Sequence, residues 1–232
     1  MEIKELLKKV KAEGRSVLTE VESKLVMREV GVPVVETRVA RSRDAAMAAA
    51  RELGFPVVAK ILSQDITHKS ESGGVELGLK NQRDVGAAYN RITEAARRAA
   101  PTARIEGITV QPMAAPGIEV IVGGLTDPQF GPVLMVGLGG IMVEVFKDVT
   151  FRIVPINRRD ASQMVRQLKG YPVLAGTRGR PPADVSRLEE TLMTLSGFME
   201  EHPEVAEFDL NPLFVYSQGL LAVDARIVLS ME

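Results

Sequence analysis

The sequence predicts an α+β fold in two lobes, on three observations. From Pro33 to Met113, short apolar runs and helical patterns alternate in the order β-α-β-β-α-β, the split βαβ arrangement whose helices cover one face of a sheet. From Gly117 onward strands follow one another directly, then come two helices and a terminal hairpin. The 232 residues, 45% apolar and 25% charged, can bury a core as one domain or two small ones. The lobes are expected to meet near residues 105 to 117, and a cleft between them is where a ligand belongs.

The elements follow in order. A helix is expected over Ile3 to Lys11, and a second after Thr19, whose hydroxyl and Glu22 form a capping box; it ends at Gly31. Pro33 to Val39 reads as a strand, Arg43 to Leu53 as a helix closed by Gly54, and Pro56 to Leu62 and Gly74 to Leu79 as strands. A long helix over Asp84 to Ala99 stops before Pro101, and Ile105 to Met113 completes the first set. Strands Ile118 to Leu125 and Pro132 to Leu138 are joined by a turn built from Asp127, Pro128 and Gly131. Val143 to Phe146 and Phe151 to Ile156 read as strands, Arg159 to Lys169 and Val185 to Glu201 as helices. Val205 to Val215 and Leu220 to Leu229 close the chain as a hairpin.

Composition excludes several classes. A net charge of −1 leaves no basic excess for nucleic-acid binding. Without cysteine there are no disulfides, thiolate catalysis or Cys-ligated metal, which fits a cytoplasmic protein. The charged, helical N-terminus is no signal peptide, and no apolar run is long enough to span a bilayer.

The chemistry concentrates between Lys60 and Val75, K-I-L-S-Q-D-I-T-H-K-S-E-S-G-G-V. A lysine on an apolar strand is followed by His68, Ser70, Ser72 and the pair Gly73-Gly74. A cation, an imidazole able to carry a phosphoryl group and flexible backbone donors are the parts that hold and move phosphate. Each has a bland reading: Lys60 snorkelling to water, His68 simply solvated. No Walker A pattern is present, and Gly137-Leu-Gly-Gly140 lacks the third glycine of a dinucleotide fingerprint. His202, before Pro203, reads as a surface residue. Arg152 could reach toward phosphate or be a plain surface cation. Arg178 and Arg180 stand in a Gly/Pro loop as lid cations or solvated ones.

The hairpin yields a candidate metal site. A turn about Ser217-Gln218 sets Asn211 against Asp224 and Asp209 against Arg226, with opposed Cβ atoms roughly 4.5–5.5 Å apart. One amide oxygen and one carboxylate make half of a magnesium site, to be completed by nucleotide phosphates and water. The alternative is a solvated face with an Asp209–Arg226 ion pair.

With Lys60, H-K-S-E-S-G-G-V, D-L-N-P-L and V-D-A-R-I in hand, the chain resembles an ATP-grasp domain. Through G-G-L-T-D-P-Q-F-G-P-V-L-M-V-G-L-G-G and K-D-V-T-F-R-I-V-P-I it resembles more narrowly the β subunit of ADP-forming acetyl-CoA (acyl-CoA) synthetases, relatives of succinyl-CoA synthetase. The resemblance implies an ATP-grasp fold, two α+β subdomains with a nucleotide cleft between them. The lid lobe would be residues 21–106, and residues 1–20 with 107–232 the metal and nucleotide lobe. It implies ATP or ADP and Mg²⁺ as cofactors. Lys60 would bind phosphate, and Ser72, Gly73 and Gly74 would form the loop over it. Val110, Gln111 and Met113 would border adenine, with Glu119 near the ribose. Asn211 and Asp224 would hold magnesium, His68 would carry the phosphoryl group, and Asp209 would orient the partner's phosphohistidine; beside these, Arg152 is a candidate cation along the phosphoryl route. Distant relatives have glutamate where Gln111 stands. A CoA-binding α subunit with its own phosphohistidine is the implied partner, in an α2β2 hetero-oligomer. The rival readings are a stand-alone carboxylate ligase and a non-catalytic ATP-sensing subunit.

Overall fold

A computed structural model describes residues 2–66, 69, 73–177, 179 and 181–231. The chain divides into two units, one of Met1–Val34 and Pro116–Glu232, the other of Val35–Ala115. The elements are α1 (Ile3–Ala12), α2 (Glu20–Val30), β1 (Arg38–Ala40), α3 (Arg43–Leu53), β2 (Val57–Ser63), β3 (Val75–Leu79), α4 (Gln82–Ala99), β4 (Ile105–Pro112), β5 (Ile118–Asp127), β6 (Gly131–Leu138), α5 (Ile141–Glu144), β7 (Val149–Ile153), α6 (Arg158–Arg166), α7 (Tyr171–Leu174), α8 (Val185–Glu201), β8 (Val205–Val215), β9 (Leu220–Ala222) and β10 (Arg226–Leu229).

The smaller unit is a four-stranded sheet in the order β1-β4-β2-β3. Both β1 and β2 run antiparallel to β4 and therefore parallel to each other with β4 between them, the split βαβ expected. Helix α3 begins where the Ser42 hydroxyl accepts the Ala45 amide, and α4 where the Asn81 side chain accepts the Asp84 amide. Ala46 and Ala50 of α3 and Val85, Ala88, Ile92 and Ala96 of α4 pack on Val57, Ala59, Ile61, Ile108 and Val110. Burying each of the larger aliphatic groups contributes roughly 1.5–3 kcal/mol. By the two-residue period, Val58, Lys60, Thr109 and Gln111 lie on the opposite face of the sheet.

The larger unit is a six-stranded sheet, β10-β8-β5-β6-β7, with β9 also on β8. One face carries Val120, Val122, Leu134, Val136, Phe208, Leu210 and Ile227 into a core completed by α1, α2, α6 and α8. The Thr19–Glu22 capping box and the left-handed Gly31 bound α2 as expected. Asp148, almost fully buried, accepts the Lys169 amide at 2.7 Å and the Gly170 amide at 2.8 Å, fixing the chain after α6. No helix among the described residues is long and apolar enough to cross a membrane.

Several expectations need correction. The units divide at 34/35 and 115/116 rather than at 20/21 and 106/107. Val26 and Met27 of α2 bury in the larger unit's core, and β4 is held between β1 and β2. Pro33 to Val39 is not one strand. Val34 makes a single bridge to Ala222 in one unit, and regular pairing starts only at Arg38 in the other. Val143 to Phe146 is not a strand either: the short helix α5 follows the left-handed Gly140, overriding the β preference of its valine. The last strand is interrupted at residues 223–225.

Candidate nucleotide and metal site

Lys60 sits within β2, opposite Val75 on β3 and Thr109 on β4, and is 5% exposed. The strand continues to Ser63, so the ammonium does not snorkel from a strand end into water. Gly74, just before β3, bonds back to β2. Gly74 accepts the Ile61 amide at 2.7 Å and donates to the Lys69 carbonyl at 2.7 Å. A Cβ at Gly74 would lie 2.6 Å from Ile61 Cγ2 and 2.8 Å from that carbonyl, so close approach demands glycine here. At Gly73 the demand is conformational, a φ of +67°. His68, Ser70 and Ser72 lie outside the described residues.

Val110 points into the core under α3 and α4 and is flanked by Arg38 on β1 and Ala59 on β2. From Gln111 onward β4 pairs with β2 alone. Gln111 is fully buried and its Oε1 accepts from the Thr37 hydroxyl at 3.4 Å, while Met113 is exposed.

In the larger unit the hairpin register is as expected. Arg226 pairs with Asp209, the Val223 amide donates to Pro212 O at 2.9 Å, and Tyr216 closes on Gly219 around Ser217-Gln218. Asn211 and Asp224 therefore lie opposite each other between bonded pairs. The regular alternation does not persist: Val120 pairs with Leu213 but Val122 with Leu210, so β8 carries an extra residue at 211–212. Such a bulge re-aims side chains locally. It places exposed Asn211 beside a break in the partner strand, where Asp224 turns its Oδ1 onto the Ala225 amide at 2.9 Å.

Asp209 is the perturbed group. Burial, then the nearby charges of Glu207 and Asp224, push its carboxyl up to about 6, against a smaller lowering effect of Arg226. The guanidinium of Arg226 is held by Glu207 at 2.8 Å. Neighbouring carboxylates are donors that suit a hard divalent cation, which relieves their repulsion. Among the described residues no group of three or more His, Cys, Asp or Glu could hold a metal alone.

Arg152 and the surface reading of His202 come out differently. Arg152 is on the face of β7 opposite to Phe151. Its guanidinium donates to the Phe151 carbonyl and to Gln167 Oε1, both at 2.8 Å, so it is not brought to the carboxylates. Its register partner Leu134 is a core residue of the other sheet face from Asp209. His202 is buried, 5% exposed, between Phe198 and Glu204 Oε1 at 3.3 Å. The C-terminus of α8 tucks it in. Glu119 is exposed and adjoins Gly139, whose added Cβ would lie 2.9 Å from Glu119 Cβ.

Residues 9–229 match the ATP-grasp domain family. The chain belongs to that family. This ATP-grasp domain is 44% identical to the β subunit of ADP-forming acetate–CoA ligase I of Pyrococcus furiosus, over 97% of each chain. It is 45% identical to ADP-forming acetate–CoA ligase I of Archaeoglobus fulgidus, over 89% of this chain but 30% of that longer one. Its structure matches acetyl-coenzyme A synthetase 1 of Ca. Korarchaeum cryptofilum, solved with coenzyme A and Ca-AMPCP, with a TM-score of 0.96 and 44% identity. That match covers 99% of this chain and 100% of the other. Two features of the ATP-grasp domain escaped the sequence reading. One is the bulge at Asn211. The other is Thr109, which alternation with Val110 could have placed on the face of Lys60.

Proposed function

We propose that this ATP-grasp domain is the nucleotide-handling β subunit of an ADP-forming acyl-CoA synthetase, which interconverts acyl-CoA, ADP and phosphate with carboxylic acid, CoA and ATP. The observation that carries it is the hairpin, where Glu207 and Asp224 lie near the buried Asp209 and the register sets Asn211 against Asp224, in a chain 44% identical over 97% of its length to a P. furiosus ligase β subunit. Asn211 and Asp224 would hold Mg²⁺, which when bound neutralises phosphate charge. Lys60 takes a phosphate of the nucleotide, beneath backbone from Gly73 and Gly74. Asp209, kept poised by burial and its acidic neighbours, accepts a hydrogen bond from an incoming phosphohistidine and orients it.

His68 would carry the phosphoryl group between a CoA site on a partner subunit and the nucleotide. The phosphorus–nitrogen bond breaks as the bond to the ADP β-phosphate oxygen forms, leaving a neutral imidazole once a proton is balanced with solvent. The CoA-binding α subunit, with its own phosphohistidine, completes an α2β2 assembly. The A. fulgidus relative, of which this chain spans 30%, supports a requirement for further polypeptide. The test is to co-express the chain with its CoA-binding partner and follow ATP formed from ADP, phosphate and acetyl-CoA. His68→Ala is expected to abolish turnover and acid-labile phosphate on this chain. Full turnover in that variant excludes the relay.

A further inference from the structure

Among the described residues, two buried side-chain oxygens lack a hydrogen-bond partner, Ser23 Oγ and Thr109 Oγ1. Ser23 lies on α2 with the buried Glu20–Lys24 pair on the same helix. Thr109 is different in kind. It is 1% exposed and stands directly opposite Lys60 in the β2–β4 ladder. Its neighbours Ile108 and Val110 enter the core beneath α3 and α4, so its hydroxyl is on the other face, with Lys60 and Gln111. A valine would fill the same volume without a desolvated hydroxyl, so the protein alone gives this oxygen nothing to do.

We propose that the Thr109 hydroxyl is a phosphate-binding group of the nucleotide site, donating to a phosphate oxygen of the nucleoside diphosphate held by Lys60. The inference rests on the nucleotide-handling reading above. Opposed Cβ atoms in such a ladder are roughly 4.5–5.5 Å apart, so one phosphate can take donors from both side chains. Gln111, the residue assigned to the adenine end, lies two positions on, about 6.8 Å along the strand. Thr109 therefore belongs to the phosphate end. A neutral donor beside the lysine adds direction to a contact that charge alone leaves loose.

The experiment is calorimetry of the full chain with ADP and Mg²⁺, an NMR titration with adenosine, and thermal melting, for wild type, Thr109→Val and Thr109→Ser. Thr109→Val is expected to melt at or above wild type and to bind ADP about 10- to 100-fold more weakly, the usual effect of losing a hydrogen bond to a charged group. Its adenosine binding stays unchanged, and Thr109→Ser stays close to wild type throughout. A Thr109→Val chain that melts lower, or fails to fold, overturns the assignment, because the hydroxyl then has a partner within the fold. Wild-type ADP affinity in Thr109→Val, or equal losses for ADP and adenosine, also overturns it and leaves the functional reading standing. A wild-type chain that binds no ADP overturns both.

Discussion

Asp209 holds the most consequential charge in the molecule. Its carboxyl, lifted from 3.8 to about 6, stays protonated in the folded chain over a range where the unfolded chain has released the proton. The folded state then binds more protons than the unfolded one, so stability falls as pH rises from about 4 to about 6 and stays lowered above that. The whole rise corresponds to roughly 3 kcal/mol. Asp209→Asn removes this loss while keeping shape. Thermal melts should show the variant more stable than wild type at pH 7.5 and equal to it near pH 4. Equal melting at both pH values would contradict the burial of Asp209 and its crowding with Glu207 and Asp224. Burial, the largest cause of the shift, and the repulsion of Glu207 and Asp224 both act against the charged carboxylate in the fold.

Elements explain why some of this was legible and some was not. The hairpin register followed from the turn at Ser217-Gln218, since a two-residue period propagates from a fixed turn, and Asp209 does face Arg226. The same period fails beyond Leu210, because β8 takes up an extra residue against β5, and a bulge leaves no mark in alternation until the partner strand is known. Arg152 was left open for a related reason: spacing told that it lies on a strand, and only pairing with core Leu134 told which face. The segment after β2 shows a glycine required by packing. Gly74→Ala would drive a Cβ against Ile61 and the Lys69 carbonyl, and that carbonyl bonds the Gly74 amide. Overpacking of this kind costs about 1–3 kcal/mol. The variant is expected to weaken ADP binding at least about tenfold while melting modestly lower, since the neighbours that must yield are those beside Lys60. Unchanged ADP affinity by calorimetry would separate this loop from the nucleotide.

At the scale of the whole molecule, the chain contains two cores, one under α3 and α4 and one shared by α1, α2, α6 and α8. Lys60 and the hairpin carboxylates belong to different units. The isolated chain is therefore expected to bind ADP with Mg²⁺ but to form no ATP from acetyl-CoA, ADP and phosphate until the CoA-binding partner is added. Coupled-enzyme assays with and without that partner check this. Turnover by the chain alone would favour a stand-alone ligase.

By itself, the sequence determined most of the longer elements, the split βαβ order, the family and the hairpin register, because periodicity, caps and turn residues act over a few positions. Only the tertiary structure decided where one unit yields to the other, and that His202 is buried. It also decided that Arg152 faces away from the carboxylates and that Thr109 stands opposite Lys60 on the neighbouring strand. These depend on which segments distant in the chain become neighbours, and burial and charge coupling exist only once they do.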